Sequence, residues 1–285
     1  MGSEVTVDRL VSMKREGQPI VMLTCYDYPT AVMQDAAGID VIFIGDSVGT
    51  NVLGYDSPVE VTMADMVHHT KAVSRGVEKG LVVGDMPYAS YESPDLGEAN
   101  AQRLMDAGAE MVKLEGGAEV AETVRQIVSA GIPVMGHIGF TPQTAPSGSF
   151  VVGSSAEEAA ELLQDARTLE QAGLSALVME CVPERIAQII TAEVGMPTIG
   201  IGSGRYCDGQ VLVTPDLLGM SNKSLRFAKR YAGLANSMAG AFTQYAQDVR
   251  DGEFPKHEHG FRVKKDVLKA FREHVADDGS TGTGT

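Results

Sequence analysis

Polar and charged residues end many of the short apolar segments in this sequence. The clearest case is MVKLEGG, residues 111–117, in which Lys113 and Glu115 stand two positions apart and are followed by two glycines. Side chains two positions apart on a strand point to the same side. The segment therefore predicts a cation and an anion together at the end of a buried strand, either as a plain ion pair or as two parts of a binding site.

Similar residues end the other apolar segments. They are Tyr26, Asp27, Asp46, Ser47, Asp85, His137, Glu180 and Ser203. Each has a structural alternative, because a single Asp or Ser after a strand is usually the N-cap of the next helix, and a lone His is often a satisfied core residue. Their accumulation, rather than any one of them, indicates a functional site.

Three of these carboxylates predict a metal site. Asp46, Asp85 and Glu115 end successive apolar segments, and buried charges without partners are costly. Oxygen ligands without thiolates or a histidine cluster favour Mg²⁺ over Zn²⁺. A Mg²⁺ ion held by few protein ligands keeps open positions, which suits a small 2-oxo acid that chelates through its carboxylate and keto oxygens.

Two further residues complete a chemical hypothesis. Lys113 is placed to pair with the carboxylate of the acid, and Glu180 is available as the base that forms an enolate stabilised by the metal. The residues by themselves therefore predict metal-assisted enolate chemistry on a 2-oxo acid, without identifying the acid.

Alternating apolar and helical segments must position these residues. The eight apolar segments are 20–27, 41–49, 81–87, 111–117, 134–140, 176–182, 198–204 and 210–216, and the helical ones are 28–38, 62–78, 93–107, 118–130, 156–172 and 183–195. This order predicts an α/β fold, a (β/α)₈ TIM barrel whose strands meet with their C-terminal ends at the active-site mouth. A doubly wound open sheet is the alternative. The connection between the last two strands is too short for a full helix.

The C-terminal part exceeds what a barrel needs. Residues 225–254 predict a long amphipathic helix, residues 264–274 a further helix, and residues 276–285 a disordered tail. We expect one catalytic domain over residues 1–262 and an extension over residues 263–285. Because surplus helices commonly pack on a neighbouring subunit, we also expect a homo-oligomer.

Composition excludes several classes of protein and partner. The formal charge of -15 and the pI near 4.8 disfavour nucleic acid and anionic membranes, since both reward Lys and Arg. No apolar run approaches the roughly 20 residues of a membrane helix, and residues 1–19 lack the pattern of a secretory signal. Three widely separated cysteines indicate a reduced, cytoplasmic protein.

Nine segments together resemble a known family, the 3-methyl-2-oxobutanoate (ketopantoate) hydroxymethyltransferases. In order they are TCYDYPTA, IGDSVGTNVLGYDS, TMADMVHHTKAVSRG, VGDMPYASY, MVKLEGG, GHIGFTPQ, LVMECVP, IGIGSG with CDGQVLV, and RFAKRYA, and they extend over about residues 5–262. The resemblance implies a barrel of the phosphoenolpyruvate/pyruvate type. It also implies transfer of a hydroxymethyl group from 5,10-methylenetetrahydrofolate to 3-methyl-2-oxobutanoate, giving 2-dehydropantoate in the pantothenate and coenzyme A pathway.

The resemblance also implies roles for individual residues. The metal-binding acids of the family fall on Asp46, Asp85 and Glu115, with Mg²⁺ as the usual ion. Its oxo-acid contacts fall on Asp46, Ser47, Asp85 and Lys113, and its proton acceptor falls on Glu180. Members are commonly ring-built homo-oligomers, often decamers.

One segment departs from the family pattern. Residues 144–155 read TAPSGSFVVGSS, where the family has a glycine pair, an aromatic and a basic residue. The contacts of this loop with the one-carbon carrier, tetrahydrofolate or a modified pterin, therefore stay open.

Two alternative functions also stay open. The first is a Mg²⁺-dependent carbon–carbon lyase or phosphonate mutase on a related barrel, although the KKCGH-type cysteine loop of those lyases has no match here. The second is an inactive scaffold barrel, although Asp46, Asp85, Lys113, Glu115 and Glu180 are all present.

Overall fold

The computed structural model describes residues 5–144, 150–221 and 225–279. Eight parallel strands in this part of the chain form a closed barrel in sequence order, with β1 hydrogen-bonded to β8. The strands are β1 (Ile20–Thr24), β2 (Val41–Ile44), β3 (Leu81–Asp85), β4 (Met111–Lys113), β5 (Val134–Gly139), β6 (Ala176–Glu180), β7 (Thr198–Ile201) and β8 (Gly209–Leu212). The predicted (β/α)₈ barrel is confirmed, and the open sheet is wrong.

Helices accompany most strands. They are α1 (Val7–Glu16), α2 (Tyr28–Ala36), α3 (Met63–Ser74), α4 (Pro94–Asp106), α5 (Ala121–Ser129), α6 (Ala156–Gln171), α7 (Glu184–Glu193), α8 (Thr214–Leu217), α9 (Leu234–Asp251) and α10 (Lys265–Gly279). A π-helical turn over Gly49–Leu53 and short 3₁₀ turns follow some of the strands. The segment between β7 and β8 contains no helix, as its length predicted.

Side-chain capping residues begin three of these helices. The side chains of Thr62, Ser93 and Ser155 accept the backbone N–H three positions on, at the starts of α3, α4 and α6. Each bond satisfies one of the N–H groups that a helix leaves without an internal partner. Helix starts were therefore predictable to within about one residue, close to the limit set by fraying.

The barrel interior is filled by alternate residues of the strands. Inward side chains from all eight strands form one apolar cluster, for example Ile20 and Met22 of β1 and Leu81 and Val83 of β3. Leu10 and Met13 of α1 belong to the same cluster. The outward side chains pack in a second cluster with residues of the surrounding helices, as expected for strands buried on both faces.

The same alternation carries polar residues inward at the carboxyl ends of four strands. Asp85 lies two positions after the inward-facing Val83 at the end of β3, and Glu180 lies two positions after Val178 at the end of β6. Lys113 follows Met111 on β4 and His137 follows Met135 on β5. In the parallel register Asp85 lies directly opposite Lys113. The interior therefore changes from apolar to charged within one pair of residues.

The predicted helix over 225–254 is partly wrong. Residues 225–233 contain no helix, and α9 begins at Leu234. The reason is tertiary: Phe227 packs against the apolar cluster of the barrel interior, and the N–H of Tyr231 donates to the carbonyl of Leu217. These contacts compete successfully with the helical periodicity of this segment.

The C-terminal residues form a separate compact unit. The chain divides into Met1–Ala232 and Gly233–Thr285, and the second unit contains α9 and α10. An exposed apolar stripe runs along α9, formed by Met238, Phe242, Tyr245 and Val249. The grouping of residues 1–262 as one domain, with 263–285 as an extension, stays a prediction.

The prediction of a disordered tail over 276–285 is wrong for its first four residues. Helix α10 continues to Gly279, since the periodic segment before it propagates the helix beyond its apolar residues. Residues 280–285 lie outside the described residues. Within the described chain, no helix has the length and apolar character to cross a membrane.

Asp35 of α2 stabilises the segment that leads into β3, and its substitution tests this contribution to stability. Its Oδ1 accepts the backbone N–H groups of Lys79 and Gly80, each at 2.9 Å, directly before β3. Because two backbone donors, the N–H of Gly80 buried and that of Lys79 partly buried, lose their acceptor, Asp35→Ala should lower the free energy of unfolding by about 2 kcal/mol, measured by urea denaturation.

The Asp35 contribution should also depend on pH. Burial raises the pKa of this carboxyl, but the N–H groups of Gly80 and Lys79 outweigh burial and lower it. Its charge-dependent stabilisation is therefore complete above the unfolded pKa of about 4 and is lost as pH falls through the lower folded value. Asp35→Asn keeps an acceptor without the charge, so the difference between wild type and this variant should shrink on acidification; a constant difference would contradict the assignment.

Candidate active site

All residues that the sequence assigned to the site line one cavity of about 160 Å³ at the carboxyl ends of the strands. They are Asp46, Ser47, Asp85, Lys113, Glu115 and Glu180, and His137 joins them. Four of the charged groups, Asp46, Asp85, Lys113 and Glu115, are no more than 6% exposed. The structure thus brings together residues that are up to 134 positions apart in sequence, from Asp46 to Glu180.

The ammonium group of Lys113 lies at the centre of the charged cluster. Its Nζ is 3.1 Å from both carboxylate oxygens of Asp85 and donates a hydrogen bond to Oδ2. The same Nζ donates to Oε1 of Glu115 at 2.8 Å. The predicted Lys113–Glu115 ion pair is therefore present, and it forms part of the wall of the cavity.

Gly116 allows the chain to turn directly after this pair. Its φ of +134° lies in a region that residues with a side chain rarely adopt, and a Cβ there would come 2.8 Å from Val120. A glycine is therefore required at this turn.

Glu115 is held from both sides. Its Oε1 contacts Lys113 and also lies 3.2 Å from Nδ1 of His137, while its Oε2 accepts the backbone N–H of Gln143 at 3.1 Å. Burial raises the pKa of Glu115, but Lys113 and His137 outweigh burial and lower it. Glu115 is therefore stabilised as an anion by the two cationic side chains beside it.

Asp85 and Asp46 experience the opposite balance. For both, burial is the largest influence and raises the pKa, and the attraction of Lys113 does not fully offset it. Burial lowers the pKa of Lys113, but Asp85, Glu115 and Asp46 raise it well above its usual value. The cluster holds more carboxylates than it has cations to neutralise them.

His137 connects Glu115 with the predicted base. Its Nε2 lies 3.4 Å from Oε2 of Glu180, while its Nδ1 faces Glu115, although neither contact has hydrogen-bond alignment. Burial and Lys113 lower the pKa of His137, but Glu115 and Glu180 raise it to about 9. The imidazole is therefore a cation of the site at neutral pH, not an isolated core residue.

The end of β6 is shaped to direct Glu180 into the cavity. Cys181, the next residue, has a φ of +53°, a strained value for a residue with a side chain. Two bonds of Ser203 hold this turn, since its hydroxyl donates to the Met179 carbonyl at 2.7 Å and accepts the Val182 N–H at 3.1 Å. Ser203 therefore has a structural role, but it is not the N-cap of a helix that its position after a strand suggested.

Asp27 likewise proves structural, whereas Tyr26 reaches the site. Asp27 is the N-cap of α2 and accepts the N–H of Thr30 at 2.8 Å. The hydroxyl groups of Tyr26 and Ser47 are 2.8 Å apart, which fixes Ser47 at the cavity. The backbone N–H of Asp46 donates to Oδ2 of Asp85 at 3.1 Å, so the ends of β2 and β3 are tied together.

Sequence reasoning missed two residues of this network, Gln143 and Tyr91. Gln143 is 3% exposed and its Nε2 donates to Oδ2 of Asp46 at 2.9 Å. The hydroxyl of Tyr91 donates to Oε1 of Gln143 at 2.5 Å. Both lie in segments that resemble the family, GHIGFTPQ and VGDMPYASY, but neither type is a charged group that would attract notice.

The carboxylates of Asp46 and Asp85 are the groups of the site that suit direct binding of a hard cation. Asp85 Oδ1 is buried and accepts no hydrogen bond from the described residues, and Gln143 engages only Oδ2 of Asp46. In the part of the chain that the structure describes, no three Asp, Glu, His or Cys side chains are arranged to share one metal ion. Two carboxylates with open positions are nevertheless a usual Mg²⁺ arrangement. The metal role of Asp46, Asp85 and Glu115 stays a prediction.

The loop that departs from the family pattern is described in part. Residues 145–149 lie outside the described residues, whereas Phe150 packs edge-on against Phe140 with ring centroids 5.0 Å apart. The contacts predicted to be altered in this loop stay open.

Comparison with known proteins agrees with the resemblance. A family model described as ketopantoate hydroxymethyltransferase matches residues 4–257. A 3-methyl-2-oxobutanoate hydroxymethyltransferase of Carboxydothermus hydrogenoformans is 50% identical over 270 residues, covering 93% of this chain and 98% of its own. That of Moorella thermoacetica is 51% identical over 266 residues, covering 91% and 98%.

Solved structures with low sequence identity share the fold. A phosphonopyruvate hydrolase, in a complex with oxalate and Mg²⁺, superposes with a TM-score of 0.61 at 11% identity, covering 97% of this chain and 99% of its own. A 2,3-dimethylmalate lyase of the PEP mutase/isocitrate lyase superfamily gives 0.58 at 15% identity, covering 97% and 99%. The barrel therefore shares its fold with these two proteins.

Removing the central cation tests the charge balance of the site. Without Lys113 the carboxylates of Asp85 and Glu115 are buried and unpaired, so Lys113→Met should lower the free energy of unfolding by about 3–5 kcal/mol in metal-free buffer at neutral pH. Chemical denaturation measures the change.

Two variants calibrate this loss. Lys113→Met with Asp85→Asn removes one of the unpaired charges and should recover part of the stability. Lys269→Met removes the exposed pair with Glu273, 3.8 Å apart, and should cost under about 1 kcal/mol. A Lys113→Met loss no larger than that of Lys269→Met would show that the carboxylates do not depend on the ammonium group.

Proposed function

The chain belongs to the ketopantoate hydroxymethyltransferase family, and from that premise we propose that it forms 2-dehydropantoate by Mg²⁺-assisted enolate chemistry with Glu180 as base. One observation carries this proposal. Every residue onto which the family roles fall lines the same cavity of about 160 Å³. A cavity of this size admits a small acid such as 3-methyl-2-oxobutanoate and is too small for a folate.

Asp46 and Asp85 would hold the metal directly. Oδ1 of Asp85 is buried and accepts no hydrogen bond, although Nζ of Lys113 lies 3.1 Å from it, and Gln143 restrains only one oxygen of Asp46. Both oxygens of Glu115 already contact Lys113, His137 or Gln143, so we assign it a contact through water. When bound, Mg²⁺ supplies Lewis acidity at the keto oxygen and so acidifies the neighbouring C–H bond.

Glu180 removes the proton from C3 of the oxo acid. It lies at the end of β6, lines the cavity, and is held beside His137 at 3.4 Å. The imidazolium stabilises the carboxylate of Glu180 before the transfer and orients it toward the cavity. The resulting enolate carbon forms a bond to the methylene carbon of the one-carbon carrier. The carbon–nitrogen bonds of that methylene group break, the reduced carrier leaves, and a water molecule supplies the oxygen of the transferred hydroxymethyl group.

Lys113 and Ser47 orient the oxo acid. The ammonium group lies among carboxylates that carry excess negative charge, and an incoming substrate carboxylate can share it by displacing part of the contact with Asp85. The hydroxyl of Ser47, held by Tyr26, faces the same cavity. Together they place C3 of the acid toward Glu180.

The carrier has space on the other side of Glu180. A second cavity of about 1260 Å³ is also lined by Glu180, with Phe140, Phe150 and Val182 near it. We propose that 5,10-methylenetetrahydrofolate, or a modified pterin with the same methylene group, presents its one-carbon unit from this side. The oxo acid and the one-carbon unit of the carrier would then meet beside Glu180.

No observation favours the alternative reactions. The phosphonopyruvate hydrolase and the 2,3-dimethylmalate lyase are similar at 11% and 15% identity, which supports a common fold and no common reaction. An inactive barrel would have no reason to retain the charged cluster, whose burial costs stability.

We also propose that the protein is a cytoplasmic homo-oligomer, with the decamer as the assembly that the family resemblance implies. The apolar stripe of α9, Met238, Phe242, Tyr245 and Val249, is exposed in the single chain and suits burial against another subunit. The free cysteines Cys25, Cys181 and Cys207 suit a reducing compartment. Light scattering after gel filtration measures the number of subunits.

A direct assay tests the activity. Purified protein with Mg²⁺, 3-methyl-2-oxobutanoate and 5,10-methylenetetrahydrofolate should yield 2-dehydropantoate, and addition of a chelator should abolish the yield. A parallel reaction with methylenetetrahydromethanopterin decides between the carriers. Folded protein that forms no product with either carrier would overturn the proposed function.

The base has its own prediction. Glu180→Gln should lower kcat by about 10²–10⁴-fold, because the amide cannot accept the C3 proton, while binding of the oxo acid changes little. Exchange of the C3 proton with solvent, followed by NMR without the carrier, isolates this step.

Glu184→Gln is the matched control for Glu180→Gln. Glu184 lines the larger cavity only and pairs with Arg205 at 3.5 Å, so its variant should retain wild-type exchange within about twofold. Exchange at the wild-type rate in Glu180→Gln would remove Glu180 from the mechanism.

A further inference from the structure

Gln143 occupies an unusual place for a neutral side chain. It lies after β5 in a turn closed by a bond from the Thr144 N–H to the Thr141 carbonyl, and it returns over the mouth of the barrel. There it contacts two carboxylates of the charged cluster, through its backbone N–H to Glu115 and through its side-chain amide to Asp46. No other described residue donates hydrogen bonds to both of these carboxylates.

The neighbours of the amide determine which end faces Asp46. Nε2 lies 3.1 Å from the Met86 carbonyl oxygen, which can only accept, so the NH₂ group must be at this end. At the other end, the Tyr91 hydroxyl accepts the backbone N–H of Glu115 at 3.3 Å and is left with its proton to donate to Oε1. Reversing the amide would place its oxygen against the Met86 carbonyl and the Asp46 carboxylate oxygen and break both of these contacts.

This arrangement fixes the relation between two acids from different strands. The NH₂ group holds Oδ2 of Asp46, and the backbone N–H of the same residue holds Oε2 of Glu115. Tyr91 closes the connection, because it contacts both the amide and the backbone at Glu115. Hydrogen bonds to ligating carboxylates orient them, and their loss typically weakens metal binding about 10–100-fold.

We infer that Gln143, oriented by Tyr91, is a positioning residue that sets the carboxylates of Asp46 and Glu115 for divalent-cation binding. The inference rests on the proposed Mg²⁺ role of these acids and extends it to two uncharged residues outside that set. It assigns Gln143 no contact with the reacting atoms. The side-chain amide of Gln143 acts by orienting Asp46, and the turn that contains Gln143 places its backbone N–H against Glu115.

Removal of the amide gives the main test. Gln143→Met has similar volume and no hydrogen-bonding head, so the dissociation constant for Mg²⁺ alone, measured by isothermal titration calorimetry, should rise about 10–100-fold. Electron paramagnetic resonance of bound Mn²⁺ gives a second readout that is independent of turnover.

Gln34→Met is the matched control for a purely structural effect. Gln34 is also a buried glutamine, 6% exposed, whose amide donates to the Thr24 carbonyl at 2.9 Å and to the Thr214 hydroxyl at 3.0 Å, but it contacts none of the carboxylates in the site. Its variant should lose stability and retain wild-type Mg²⁺ affinity.

Tyr91→Phe is the milder variant if Gln143→Met folds poorly. It keeps the amide and removes the group that orients it, so Mg²⁺ affinity should fall about three- to tenfold. The double variant should bind Mg²⁺ within about twofold of Gln143→Met, because Tyr91 then has no amide to orient.

The outcomes distinguish the inference from its premise. Wild-type affinity in Gln143→Met or Tyr91→Phe, or equal losses in Gln34→Met, would overturn the positioning role and leave the metal site intact. Effects of Gln143→Met and Tyr91→Phe that multiply in the double variant would overturn their coupling. A wild-type protein that binds neither Mg²⁺ nor Mn²⁺ would overturn the metal role of the acids, and the inference with it.

Discussion

The buried ammonium group of Lys113 is the interaction on which the rest of the site depends. It lies within 3.1 Å of Asp85 and 2.8 Å of Glu115 at the end of a three-residue strand. Carboxylates this deeply buried are stable together only when a cation and donated hydrogen bonds compensate for lost hydration. The barrel therefore has to bring one cation between strands, and the register of β3 with β4, which sets Asp85 opposite Lys113, achieves this.

The cations of the site do not fully compensate for the burial of its carboxylates, and this favours binding of a divalent cation. Lys113 and His137 stabilise Glu115 as an anion, whereas burial still dominates at Asp85 and Asp46 and raises their pKa values. A site with surplus negative charge and a buried oxygen without a hydrogen bond favours a divalent cation. The neutral residues Gln143 and Tyr91 then matter because they hold the acids apart and oriented without adding charge.

Particular residues show what could be predicted and what could not. Lys113 and Glu115 were recognisable because a charged pair with a spacing of two is unexpected at the end of an apolar strand, and β/α alternation then placed the other strand ends at the same mouth. His137 was ambiguous, since burial alone does not separate a core histidine from one between two carboxylates. Gln143 and Tyr91 were missed because their role depends on contacts across 28–97 positions of sequence.

The sequence by itself determined the barrel, the strand ends and the identity of the charged groups, because alternation of apolar segments with capped helices depends on local periodicity. Tertiary structure alone decided how those groups are paired and which carboxylate oxygen accepts no hydrogen bond. It also decided that Phe227 and Tyr231 keep residues 225–233 from continuing the helix. The physical reason is that hydrogen bonds and desolvation act over a few ångströms between side chains whose separation in sequence carries no information about their distance in space.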